Sequence, residues 1–117
     1  MSYDSSIKGD PGCTPTKKDV LVHYLIDELG LLPDSMNHFR VVDQDFLAYS
    51  DLDLLAVGTD GSLNYAGDEV SCIQVHIPAA FLMERRVAIC HLCCALARHL
   101  GWRAYDEQAE QYLDLGN

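Results

Sequence analysis

The sequence predicts a single α+β domain, a mainly antiparallel sheet of about four to five strands with two main helices packed on one face. Three observations lead there. The 117 residues fit one domain of ordinary size and leave no room for a second independent core. Apolar residues make up 49% and charged residues 22%, the balance of a folding chain rather than a charge-dominated disordered one. Two helix-period segments alternate with short β-prone runs joined by turns, and such short links favour antiparallel pairing under helices that share one side.

Residues 1–14 carry Ser, Gly, Asp and Pro without periodicity and read as a flexible lead-in, so the domain proper is expected over residues 15–117. Thr16 and Asp19 have capping-box spacing, and residues 20–29 then run apolar on most sides until Gly30 supplies a C′ stop. On that first helix Leu21, Leu25 and Leu29 lie one turn apart, flanked by Tyr24. Residues 39–42 and 52–57 are β-prone, with 45–51 between them unassigned. The turn residues Thr59, Asp60, Gly61 and Ser62 return Leu63, Asn64 and Tyr65 antiparallel to the preceding strand. Residues 70–77 alternate: Ile73, Val75 and Ile77 share one face, Cys72, Gln74 and His76 the other. Pro78 opens the second helix over residues 79–100, where Ile89, Leu92, Cys93, Leu96 and Leu100 recur at helical spacing. Arg98 and His99 suit its last turn and Gly101 ends it. Residues 102–106 read as a strand, with 111–115 as a candidate partner pairing back after a turn.

Charge narrows the partners. Eighteen carboxylates against eight Lys and Arg give a formal charge of −10, which repels phosphate backbones and acidic membrane surfaces and attracts a basic protein. Direct nucleic-acid binding and membrane binding are therefore not expected. The polar start has no apolar h-region and no run of 18 apolar residues occurs. Five Cys is an odd number, and Cys90, Cys93 and Cys94 crowd one segment, so reduced thiols in a cytoplasmic protein are expected rather than a disulfide framework.

The chemistry-bearing motifs come next. Ser50-Asp51-Leu52-Asp53-Leu54 resembles the Ser-Asp-x-Asp-Leu motif of minimal nucleotidyltransferases, in which two carboxylates on one strand hold Mg²⁺ and nucleotide phosphates. Residues i and i+2 of a strand point the same way and can share a hard cation. The family's upstream Gly-Ser turn has no counterpart, because residues 39–49 contain no Gly. That resemblance implies the alternative function, a Mg²⁺-dependent nucleotide-handling enzyme using Asp51 and Asp53. Cys90, His91, Cys93, Cys94 and His99 offer zinc-ligand chemistry, but on a helix only the three thiols converge, and buried Cys packs as a small hydrophobe. No nucleophile elbow or Gly-rich phosphate loop is present, so no catalytic residue, metal or cofactor is assigned and binding is expected over catalysis.

The strongest sequence feature is charge placement. Between Arg40 and Arg85 there is no Lys or Arg, while eight Asp and Glu give the interval a formal charge of −8. Its Asp43, Asp45, Asp51, Asp53, Asp60, Asp68 and Glu69 form the candidate partner-binding set, with Tyr49 and Tyr65 as aromatic anchors. A small acidic α+β chain of this length resembles the immunity proteins of bacterial toxin systems, and Gly101-Trp102-Arg103-Ala104-Tyr105-Asp106-Glu107-Gln108 resembles the Tyr-Asp-Pro-Gln ending of some of them, with Glu107 in place of Pro. The resemblance implies an inhibitor that neutralises a basic toxin domain by covering its active site. A phage-type inhibitor imitating nucleic acid through its carboxylates is the remaining alternative.

Overall fold

Alternation along the longest strands decides the architecture. The computed structural model describes residues 2–9, 15–43, 46–57, 60–78, 82–107 and 110–112. In order, these form β1 (Ser2–Lys8), β2 (Thr16–Lys17), α1 (Lys18–His23), which continues as a π-helical turn over Tyr24–Glu28, then β3 (Leu32–Pro33), β4 (His38–Asp43), β5 (Phe46–Val57), β6 (Leu63–Tyr65), β7 (Glu69–Val70), β8 (Cys72–Pro78), α2 (Leu82–Leu100), β9 (Arg103–Asp106) and β10 (Gln111–Tyr112). The main sheet runs β10-β9-β1-β8-β5-β4-β3 with every pairing antiparallel, and β6 extends it beside the far end of β5. A two-stranded ribbon joins β2 to β7.

The α+β class and the antiparallel sheet are as the sequence predicts, but the sheet is wider: eight strands among the described residues. One reason is β1. Residues 1–14 were expected as a flexible lead-in; instead Ser2–Lys8 lies inside the sheet, paired along its length with β8 and over Ser5–Lys8 with β9. The short polar side chains of Ser5 and Ser6, buried at 2% and 3% exposure, fit where neighbouring strands leave little room, and Ile7 is fully buried. Backbone pairing, not side-chain β-propensity, holds this segment.

One face of the sheet carries the core. Ile7, Phe39, Leu52, Leu54, Ile73, Val75 and Ala104 point to it from five strands, and Leu21, Leu25, Cys93, Leu96 and Ala97 close over them from the two helical segments. Burying a Leu or Ile side chain contributes about 1.5–3 kcal/mol, so this shared cluster is the main source of stability. Both helices thus cover one side; on the other, the described side chains range from exposed Tyr65 to buried Cys72 and Leu55.

The first helix departs from expectation at both ends. Thr16 and Lys17 pair with β7, Lys18 N–H donates to the Asp68 carbonyl at 2.9 Å, and the N-cap is Lys17 with no side-chain cap bond, so the Thr16–Asp19 capping box does not form. At the other end the Leu29 N–H reaches the Tyr24 carbonyl at 3.2 Å, the i→i+5 bond of the π turn, and Leu31 N–H reaches the Leu25 carbonyl at 3.0 Å. Gly30, at φ +68°, makes that last reach possible, as the C′ stop predicts. Gly101 at φ +70° ends α2 in the same manner. No helix among the described residues is long and apolar enough to cross a membrane.

Candidate functional site

The exposed face is built by the residues that alternate with the core. On β5, Leu52 and Leu54 point inward, so Asp51, Asp53 and Leu55 point outward; on β8 the outward set is Cys72, Gln74 and His76. Register aligns these into rows. Asp4 lies opposite His76, His76 opposite Asp51, and Asp51 opposite Arg40. One step along, Ser6, Gln74, Asp53 and His38 make a second row, and Lys8, Cys72, Leu55 and Tyr65 a third.

The first two rows hold an alternating chain of carboxylates and imidazoles. Asp4 Oδ1 is 2.6 Å from His76 Nδ1, His76 Nε2 is 3.3 Å from Asp53 Oδ2, and Asp53 Oδ1 is 2.6 Å from His38 Nδ1. His38 Nε2 then lies 3.4 Å from Asp51 Oδ1 and 3.9 Å from Asp34 Oδ2, while Arg40 Nη2 is 3.6 Å from Asp34 Oδ1. Asp53 is the hub and its least exposed member, with 15% of its side chain accessible. A neutral imidazole has a single N–H, so donation from His76 to both Asp4 and Asp53 at once needs the imidazolium. Partial burial pulls the His38 pKa down, but the hydrogen bond to Asp53 and the charges of Asp53, Asp51 and Asp34 outweigh it and leave His38 above the ordinary imidazole value.

Beside Asp53 the sheet opens into a groove of about 370 Å³ lined by Asp53, Leu55, Leu63, Asn64, Tyr65 and Gln74. Tyr65 stands 69% exposed at its rim. Arg40 lies among the acidic residues, opposite Asp51, while Lys8 and Arg103 face each other across β1 and β9, and Arg103 stacks 3.6 Å over the Tyr112 ring. Apart from Arg40, carboxylates thus lie over β4, β5 and β8 and the basic side chains over β1 and β9.

Of the partner-binding set expected from sequence, the structure gathers Asp51, Asp53 and Tyr65 on this face. Asp60 sits in the turn before β6, where the Ser62 hydroxyl and backbone N–H donate to its Oδ1 at 2.6 and 3.0 Å and hold its carboxyl below the usual range. Asp68 and Glu69 belong to a separate place. Asp68 lines a cleft of about 490 Å³ with Lys18, Val22, Met36 and Ala66, and Glu69 pairs in the ribbon opposite Lys17. Asp43 and Tyr49 lie on β4 and β5, and Asp45 falls outside the described residues.

Asp4, Asp34, His38 and His76 complete the network and were absent from the expected set. In the sequence His76 shows only a strand face shared with Cys72 and Gln74, and Asp4 lies within residues 1–14, expected as a lead-in. Only the outward alternation of 72, 74 and 76 pointed their way. Asp51 and Asp53 do share a face, as their spacing requires, yet imidazoles occupy both. Among the described residues no three His, Cys, Asp or Glu side chains are grouped so as to hold a metal ion. Cys93 is buried in the core, as a packing role for that thiol requires, and burial pushes the Cys72 thiol up to about 11. No family model matches this chain, and no curated protein or solved structure matches it either.

Proposed function

We propose that this chain is a cytoplasmic protein-binding inhibitor that docks the acidic part of its exposed sheet face on a basic partner, in the manner of an immunity protein covering a toxin's active site. One observation carries the reading: Asp4, Asp51 and Asp53 are brought from two strands distant in sequence onto one face that both helices leave uncovered. A sheet face with fixed side chains is pre-organised, so binding orders little that is mobile. Its carboxylates raise the association rate with a basic surface, and exposed Tyr65, Leu63 and Val57 supply apolar contact beside them.

The network also explains why such a charged face folds. Each imidazole separates two carboxylates that otherwise repel, so the acidic side chains are held without a partner present.

The test is capture from cell extract with the tagged protein, at low and at moderate salt, comparing wild type with Asp51→Lys. Asp51 is 39% exposed, so reversal there leaves the core untouched. A basic protein retained stoichiometrically by wild type, weakened by salt and lost by the variant, is the expected result. Equal retention by both proteins would remove this face as the interface.

A further inference from the structure

We infer that the groove beside Asp53 is a receptacle for a single arginine side chain of the partner; this rests on the proposed docking face. At about 370 Å³ it stands at the small end of ligand pockets and suits one long side chain rather than a folded element. Its chemistry is specific to a planar cation on an apolar stem. Asp53, whose Oδ1 and Oδ2 already meet His38 and His76, offers the remaining lone pairs of its carboxylate at the floor, and its cross-strand neighbour Gln74 supplies an amide beside it. Carboxylate and amide oxygens together match the guanidinium fork, which delivers several N–H donors in one plane.

The walls agree with that occupant. Leu55 and Leu63 offer apolar contact to the three methylenes of an arginine. Tyr65, in register with Leu55, presents a ring that is 69% exposed at the groove's edge, where a guanidinium stacks and a compact ammonium gains less. Charge complementarity selects a cation: the groove borders the alternating Asp and His chain, while Lys8 stands in the row of Leu55 and Tyr65 but beyond Cys72 on β1, with Arg103 opposite it on β9.

The probe is N-acetyl-L-arginine amide, titrated into the ¹⁵N-labelled full-length protein while backbone amide shifts are followed, with N-acetyl-L-lysine amide as the comparison. The expected result is saturable shifts centred on residues 53, 55, 63–65 and 74, at least about threefold tighter for the arginine amide, and lost in Tyr65→Ala. The exposed position of Tyr65 keeps that variant folded, and its own spectrum verifies this. Shifts that are absent, spread evenly over the face, or equal for the two amides overturn the receptacle. If they are absent while Asp51→Lys still abolishes capture of a basic partner, the groove falls and the docking face stands. If the arginine amide binds as expected while Asp51→Lys leaves capture unchanged, the docking face falls and the groove stands as a guanidinium site.

Discussion

Replacing Asp53 with Asn removes one charge from the centre of the network while nearly preserving shape. The 2.6 Å contact to His38 Nδ1 is a charge-assisted hydrogen bond when the imidazole is protonated, and such bonds contribute about 1.5–3 kcal/mol. Asn keeps a neutral acceptor, worth about 0.5–1.5 kcal/mol, so the net loss is about 1–2 kcal/mol. Screening discounts it little, because His38 and Asp53 expose only 28% and 15% of their side chains. The pH dependence follows from linkage. His38 is raised in the folded state, so its stabilisation is fully present below the unfolded imidazole value and is lost as pH rises through the folded one. The full loss is therefore expected near about pH 5.5, where carboxylates stay ionised, and a smaller loss near about pH 8.5. Urea unfolding, with a slope of about 1–3 kcal/mol per molar, turns this into a midpoint drop of about 0.3–2 M at the lower pH. Histidine ring shifts followed against pH provide the second readout, where the His38 titration is expected to move down. Equal destabilisation at both pH values, with an unmoved His38 titration, would refute the electrostatic account.

Other outcomes follow from the core and the turns. Leu54→Ala, at a fully buried position, is expected to destabilise by about 2–5 kcal/mol in urea unfolding, and a loss below about 1 kcal/mol would mean that its inward orientation is wrong. The Cys72 thiol, pushed up to about 11 and 2% exposed, should resist iodoacetamide at about pH 8 until denaturant is added; labelling of this position in the native protein, read by peptide mass, would contradict its burial. Gly101→Ala meets no steric neighbour, so its cost of about 1 kcal/mol, measured by thermal unfolding, should come from the φ of +70° alone.

What the sequence discloses is what rests on nearby residues. The outward 72, 74, 76 alternation, the Asp60-Gly61 turn into β6 and the Gly101 helix stop depend on spacing or on local backbone conformation, and all are visible without a structure. The capping box failed because Thr16 and Lys17 have a competing backbone partner in β7, more than fifty residues away. β1 was missed for a related reason: a segment in which only Tyr3 and Ile7 favour a strand has a weak β-signal of its own, and two flanking strands impose its conformation. The site inherits that blindness. Asp51 and Asp53 declare a shared face by being two apart, but His38, His76 and Asp4 reach them only through the register of three further strands. A count of carboxylates along the chain likewise grouped Asp68 and Glu69 with them, although the fold sends Asp68 to a different cleft and Glu69 to the two-stranded ribbon.

The position of β1 also bears on how the chain is made. Ser2–Lys8 leaves the ribosome before either of its partners, since Ser5 pairs with Val75 on one side and with Asp106 on the other. At about 5–20 residues per second, roughly 5–20 s pass before the second partner has been synthesised. Until then β1 lacks its second partner, and β8, once made, offers a vacant track along the edge that β1 takes. Residues 2–8 of a neighbouring nascent chain fit that track as well as the chain's own, which is the geometry of strand exchange. Refolding at rising protein concentration should therefore trap dimers, visible by size exclusion, in proportion to how often a neighbour arrives first.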